Sequence, residues 1–389
     1  MKHQIVHIPQ WFGAGLGNEF FPFAKANLAA QSVGGKVLYP LQLDFVRRKS
    51  YFLKQWSTYK HISLYSRPKV FYYSAEEFLK DSNQTGTLDY GRNVQNFVSR
   101  LPSGPKKIIH GGMSGGFQAI VRARPFILEY LLTSVSKSDF PYSRIASSFN
   151  PNRIRIGIHI RRGDFLSKNS ISKARQGDDK IPSTTCAKSR LGLGTIFKNT
   201  FGYNRFDLGR DGIQGKGSSC QTQWNQRIPI QWTINMIKSI TKALPDQVEF
   251  LFVTDGLPDT ERSEIEKVLT NTPFHWGTSN IPQIDLLLLS FCDSLICSTS
   301  SFSMWAAFLS EASAVFYRDH LSENHTSAPY FWNKPSMSPN DTPKQIKWFA
   351  VGESDSNLPL RYLSFLDQKA FEKTSFFRSP LMGGAFNVT

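Results

Sequence analysis

The stretch Ile154-Arg-Ile-Gly-Ile-His-Ile-Arg-Arg-Gly-Asp164 runs from an aliphatic repeat straight into two arginines and a carboxylate. Isoleucine at every second position from 154 to 160 predicts a strand, and the charged end predicts a loop at its carboxyl edge. The turn-forming Asn150-Pro-Asn152 precedes it, so a new domain is expected to begin at 151. Downstream, the pattern predicts helix 229–244, strand 248–253, helix 259–270, helix 283–291, strand 294–297, helix 302–312 and strand 314–317. Strands that alternate with helices imply a parallel sheet covered on both faces.

Upstream, Ile5 to Ile8 reads as a strand, Gly13-Ala-Gly-Leu-Gly17 as a turn, and Phe20 to Ala30 as a helix. Lys36-Val-Leu-Tyr39 opens a second unit of this kind, and Ile108-Ile-His-Gly-Gly112 a third, before a helix over 117–133. The expected organisation is an α/β domain over 1–150, a second over 151–345, and a tail over 346–389 returning to the first domain. Residues 165–226 are polar and lack a sustained period, so they read as a long excursion of the kind that is usually functional or mobile.

Composition narrows the classes. With 389 residues, 40% of them apolar, the chain is long enough for two cores, and no run approaches the roughly 20 apolar residues of a membrane span. The amino-terminal Met1-Lys-His-Gln-Ile-Val-His7 lacks a signal-peptide core, so a cytoplasmic protein is expected. Four cysteines do not make a disulfide scaffold. Cys292 and Cys297 are expected in the core, while Cys186 and Cys220 pair only in an oxidising compartment. Four N-x-[ST] sequons, at Asn83, Asn324, Asn340 and Asn387, match chance for this composition.

Arg161 and Arg162, the first of them two residues past His159, form a compact cationic site at a strand's carboxyl end, where open α/β sheets bind ligands. Guanidinium groups stay charged and grip phosphate oxygens bidentately. Ser298-Thr-Ser-Ser301 opens a helix and offers hydroxyls and backbone N–H groups to an anion. Thr254 and Asp255 end the strand at 248–253. Asp285, opening an apolar helix, is either a capping carboxylate or an acceptor for the N1–H and N2–H edge of guanine. In the amino-terminal turn, Asn18 stands where G-x-G-x-x-G needs its third glycine, which argues against a dinucleotide. No phosphate-binding G-x-x-x-x-G-K-[ST] occurs, and Asp178-Asp179 lacks the flanking strand of a metal-carboxylate site, so no metal and no cofactor is expected.

Taken in order, G-x-G-L-G-N, Gly116-Phe-Gln118, H-I-R-R-G-D and the segment from Ser298 to Leu309 resemble the α1,2-fucosyltransferase family, and more distantly the α1,6- and protein O-fucosyltransferases. The resemblance covers roughly 10–40, 105–165 and 228–317. It implies a GT-B fold, with two Rossmann-like domains facing across a cleft. It also implies inverting, metal-independent transfer of L-fucose from GDP-fucose to a glycan hydroxyl, in α1,2 linkage, for surface polysaccharide or glycoconjugate synthesis. Carried over by position, Arg161 holds the β-phosphate, Arg162 supports it or the donor sugar, and His159 and Asp285 contact the nucleotide. Ser300 and Ser301 line the phosphate turn, and Gly15, Gly17 and Asn18 form the opposing wall. The general base is expected to be Asp164 or Glu19. The chain departs from the family at Glu19, where Gln is usual, at Met304-Trp305, where two tryptophans are usual, and in the length of the excursion.

The net charge of +16 first suggests a basic nucleic-acid-binding protein, and a transferase using another GDP-sugar is a further alternative. Charge distribution favours a sugar-nucleotide site. Residues 151–232 hold 15 basic and 5 acidic side chains and residues 1–60 hold 8 and 2, whereas 233–300 hold 4 and 9. A positive cleft mouth suits GDP-fucose, and with it a lipid-linked glycan acceptor at an anionic membrane face, with no nucleic acid as partner.

Overall fold

The computed structural model describes residues 5–9, 16–38, 69–136, 148–162, 227–277, 282–310, 312–318, 347–352, 355 and 358–376. Asp164, Gly15, Cys186, Cys220 and the excursion at 165–226 lie outside the described residues. Both sheets belong to one unit made of 1–163 and 228–389.

The first sheet contains β1 (Ile5–Pro9), β2 (Lys36–Val37), β3 (Lys69–Tyr73) and β4 (Lys106–His110), all parallel, in the order β2-β1-β4-β3. Helix α1 (Leu16–Val33) follows β1, and α2 (Ala75–Thr85) and α3 (Tyr90–Ser99) separate β3 from β4. Ser74 and Glu77 form a reciprocal capping box that starts α2, Gly86 ends it at φ 63°, and the Asp89 carboxylate caps α3. After β4 the helix predicted over 117–133 breaks into α4 (Gly116–Ala119), a 3₁₀ turn (Val121–Ala123) and α5 (Arg124–Ser136). Pro125 explains the break: at the second position of a new helix its missing N–H leaves no hydrogen bond unmade.

The second sheet contains β5 (Ile154–Ile160), β6 (Val248–Thr254), β7 (Phe274–Trp276), β8 (Ser294–Cys297), β9 (Ser313–Tyr317) and β10 (Lys347–Val351), all parallel. Its order, β10-β9-β8-β5-β6-β7, is the doubly wound Rossmann order read from the opposite edge. The crossovers carry α6 (Ile230–Ala243), α7 (Asp259–Val268), α8 (Pro282–Ser290) and α9 (Ser301–Leu309), and α10 (Leu360–Phe376) follows β10. The class is therefore the expected α/β one, with two parallel sheets.

Strand β5 sits at the centre, which is why its sequence is apolar on both faces: six of its seven residues are buried. A Cβ on Gly157 would come within 2.9 Å of Leu289, Leu295 and Cys292, so only glycine lets α8 and β8 pack this closely. Cys292 and Cys297 are free and buried, as expected. Among the described residues, the carboxyl-terminal segment packs on the second sheet, where a return to the first domain was expected. Strand β10 pairs with β9, Leu358, Tyr362 and Leu366 join the second core, and the Tyr362 hydroxyl meets Ser294 Oγ at 2.8 Å. Apolar residues spaced along α10 need a covered face, and the second sheet supplies it.

Candidate functional site

In the second sheet the chain moves from β5 to β6 and β7 on one side, then crosses to β8 on the other, so β5 and β8 flank the topological switch point. Ligands of open α/β sheets bind at the carboxyl ends of such strands. Arg161 leaves β5 there, and Ser298-Thr-Ser300 leaves β8. Ser300 caps α9, accepting the Ser303 N–H through Oγ at 3.3 Å. The α9 amino terminus, with its partial positive charge, thus lies at the carboxyl end of the same sheet.

His159 is buried one residue inside the strand end. Its Nδ1 lies 2.7 Å from Ser298 Oγ and in hydrogen-bond contact with Ser303 Oγ, which also meets Ser298 Oγ at 3.2 Å and Ser300 Oγ at 3.3 Å. Burial holds its pKa down to about 3, with Asp255 pulling upward and Arg161 adding to the depression. At neutral pH His159 is an uncharged imidazole ordering a ring of serines. Two hydroxyls nearby, Thr254 Oγ1 at the end of β6 and Thr299 Oγ1 beside Ser300, are buried without a hydrogen-bond partner among the described residues. Thr254 and Thr299 stand at the ends of β6 and β8, the two strands that flank β5.

The two arginines part company. Arg161 is 23% exposed, and its Nε lies 3.2 Å from Asp255 Oδ2. Arg162 is 2% exposed, its Nε donates to Glu261 Oε2 at 2.6 Å, and its Nη1 donates to the Arg161 carbonyl at 3.2 Å. Asp255 Oδ1 accepts the Arg162 backbone N–H at 2.7 Å. Glu261 stands in the first turn of α7. Nothing in the sequence connects it to an arginine 99 positions away.

Asp285 is buried in the first turn of α8, and a Cβ on Gly277, the residue after β7, would lie 2.8 Å from its Oδ1. On the opposing side, Gly17 and Asn18 open α1, and Glu19 is buried in its first turn. Gly17 touches the start of α9: a Cβ there would stand 2.6 Å from Phe302 N and 2.7 Å from Ser301 Oγ. The structure therefore brings Gly17, Ser300, Ser301, His159, Arg161, Thr254 and Asp255 to the carboxyl end of the second sheet, with Asp285 toward the β7 side.

No protein family and no curated protein matches the chain by sequence. Among solved structures it is similar to POFUT1 in complex with GDP-fucose, at 13% identity and a TM-score of 0.44, over 89% of this chain and 97% of that one. It is similar to POFUT1 in complex with GDP at 11% identity and a TM-score of 0.40, over 81% and 99%. The glycosyl transferase family 9 protein from Veillonella parvula DSM 2008 is similar at 11% identity and a TM-score of 0.35, over 96% and 97%.

Among the described residues, no three His, Cys, Asp or Glu side chains are grouped to hold a metal ion, and no helix is long and apolar enough to cross a membrane. A second polar cluster, which sequence patterns do not reveal, lies under the first sheet's carboxyl end. Fully buried Lys25 donates to the Gly112 carbonyl at 3.0 Å and to Ser114 Oγ at 3.2 Å, with its Nζ 5.1 Å from the Tyr90 ring centre. These bonds fix the glycine-rich turn after β4, where Gly112, Gly115 and Gly116 all adopt positive φ.

Proposed function

We propose that this chain is a GDP-fucose-dependent fucosyltransferase that transfers L-fucose with inversion to a glycan hydroxyl, forming an α1,2 linkage without a metal. The observation that carries the reading is that Arg161 and the hydroxyl-lined start of α9 leave the adjacent strands β5 and β8 at one switch point. A diphosphate fits that set: a guanidinium for charge, and serines with helix N–H groups for the oxygens. The fucosyl group and the guanine come from the sequence resemblance, with Asp285 as the acceptor for the base.

In this reaction the acceptor oxygen attacks the anomeric carbon on the face away from GDP. The bond to the β-phosphate oxygen breaks with its electron pair, and the hydroxyl proton passes to a carboxylate, Glu19 or Asp164. Arg161 and the α9 amino terminus offset the charge that develops on the departing diphosphate. His159, neutral at the working pH, holds the serines in place and does not carry the proton.

Arg161→Ala is expected to lower GDP release in the presence of glycan acceptor by about 100-fold or more while the melting temperature holds. Retained turnover in a folded variant overturns the assignment. A donor screen with GDP-fucose and other GDP-sugars tests the sugar, and activity after chelation tests the absence of a metal. The basic segment 165–226 is proposed to serve the donor or an anionic membrane face. That role is abandoned if its deletion changes neither donor affinity nor vesicle binding.

A further inference from the structure

We infer that Arg162 and Glu261 are a positioning pair, whose work is to hold the peptide that carries Arg161, and that Arg161 alone of the two arginines grips the donor. The inference rests on the donor reading above and names residues that act on that site from behind.

Neighbouring side chains in an extended segment leave on opposite sides. Arg161 stays at the edge of the sheet, while Arg162 turns inward and is the most buried arginine side chain at this site. A guanidinium so enclosed must be paired and hydrogen-bonded. Glu261 supplies the charge through the 2.6 Å contact with Nε, and Arg162 Nη1 spends another of its donors on the carbonyl of Arg161. The N–H of the same peptide bond, belonging to Arg162, is held by Asp255 Oδ1 at 2.7 Å, while Asp255 Oδ2 faces Arg161 Nε at 3.2 Å. Both polar groups of the Arg161–Arg162 peptide are therefore fixed by side chains: the carbonyl by Arg162, itself held by Glu261 of α7, and the N–H by Asp255, the residue after β6.

The location of Glu261 gives this arrangement its stiffness. It belongs to the first turn of a helix, where a carboxylate is favoured by the helix dipole, and that helix is anchored to the second core through buried Ile265. Arg162 transmits the position of α7 to the strand end. A displacement of about 1 Å at a group that contacts the reacting atoms costs up to about 100-fold in rate. A guanidinium on an exposed strand end needs such a brace.

The test is a double-mutant cycle on GDP affinity, measured by titration calorimetry for the wild type, Arg161→Ala, Glu261→Ala and the double variant, with thermal melting recorded for each. Glu261→Ala is expected to weaken GDP by about 10-fold in the wild-type background and by less than about twofold once Arg161 is gone. Glu261→Gln, which keeps an oxygen for Arg162 Nε, is expected to stay within about threefold of wild type. Arg162→Lys in the Arg161→Ala background is expected to cause no further loss. Equal loss in both backgrounds, or a further loss with Arg162→Lys, overturns the inference, because Arg162 would then grip the donor itself or the pair would serve only the fold. If Glu261→Ala does not melt cooperatively, Glu261→Asp, which withdraws the carboxylate by one methylene, takes its place in the same cycle. If Arg161→Ala leaves GDP affinity unchanged, the donor reading fails, and that outcome is distinct from the others.

Discussion

Gly17 shows how one residue can set the distance between two halves of a molecule. A methyl group there would lie 2.6 Å from the backbone of Ser301 and Phe302, closer than carbon atoms approach without displacement of the chain. The obstacle is backbone at a helix start, so relief must come from moving α1 away from α9. Gly17→Ala is expected to cost about 1–3 kcal/mol in chemical denaturation and to lower the affinity for GDP, since Ser301 belongs to the proposed phosphate turn. Unchanged stability would mean that the two helices are not in fixed contact. Arg161 and Arg162 teach a related lesson: identical and adjacent in sequence, they differ in burial because successive side chains point to opposite sides of an extended backbone.

At the scale of elements, the first sheet is tied to α3 by a buried chain of hydrogen bonds whose direction is fully determined. The Gly34 carbonyl can only accept, so His7 Nε2 at 3.2 Å carries a proton. A neutral His7 then accepts through Nδ1 from His110 Nε2 at 2.9 Å, and His110 Nδ1 accepts from the Tyr90 hydroxyl at 2.8 Å. Burial pushes His7 down to about 4, its bond to the Gly34 carbonyl opposing, and pushes His110 well below the usual imidazole range, with His7 and Lys25 adding to the effect. Both rings are neutral in the folded protein, while the unfolded chain takes up protons below about pH 6.5. Stability is therefore expected to be flat above that pH and to fall as the pH drops from about 6.5 toward 4, since there the unfolded state binds more protons. Denaturation midpoints across that window check the sign, and His7→Gln should flatten the slope. Tyr90→Phe removes the only donor shown to the buried His110 Nδ1 among the described residues, and is expected to cost about 1–3 kcal/mol.

At the scale of the whole molecule, the two sheets are joined through aromatic packing. Trp305 on α9 is fully buried among Phe20 and Phe21 of α1, Phe117 of α4 and Phe308 of its own helix, with ring centres 4.9 to 5.4 Å apart. Helix α5, which follows the first sheet in sequence, packs on α8 and α9 of the second, and Arg124 Nε donates to the Leu309 carbonyl at 3.0 Å. Trp305→Ala is expected to cost about 3–5 kcal/mol, the range for removing a large buried aromatic. Because the cluster draws on both halves, thermal unfolding of the wild type should be a single transition, and two separated transitions in the variant would show that Trp305 is the joint. One transition at an unchanged temperature would refute the role.

Local order was legible in the chain because it depends on local patterns. Alternating isoleucines fixed β5 at 154–160, the apolar run before Ser298 fixed β8 at 294–297, and the hydroxyl-rich turn at 298–301 marked the start of α9. The strand β3, with exposed Val70 and Tyr72, and the short β7 carry no comparable pattern, since edge strands are covered on fewer sides and need less apolar sequence. The tail was expected to return to the first domain, and its place on the second sheet was not legible, because pairing with β9 is a contact between distant segments. The same division holds for the site. Sequence by itself determined that two arginines, a histidine and a row of hydroxyls stand at strand ends, because strand period and helix caps are properties of neighbours along the chain. Only the tertiary structure decided that Arg161 stays at the opening while Arg162 is buried against Glu261, and that Gly17 meets Ser301. Those choices depend on packing and desolvation between segments 99 and 284 positions apart, and no local pattern encodes them.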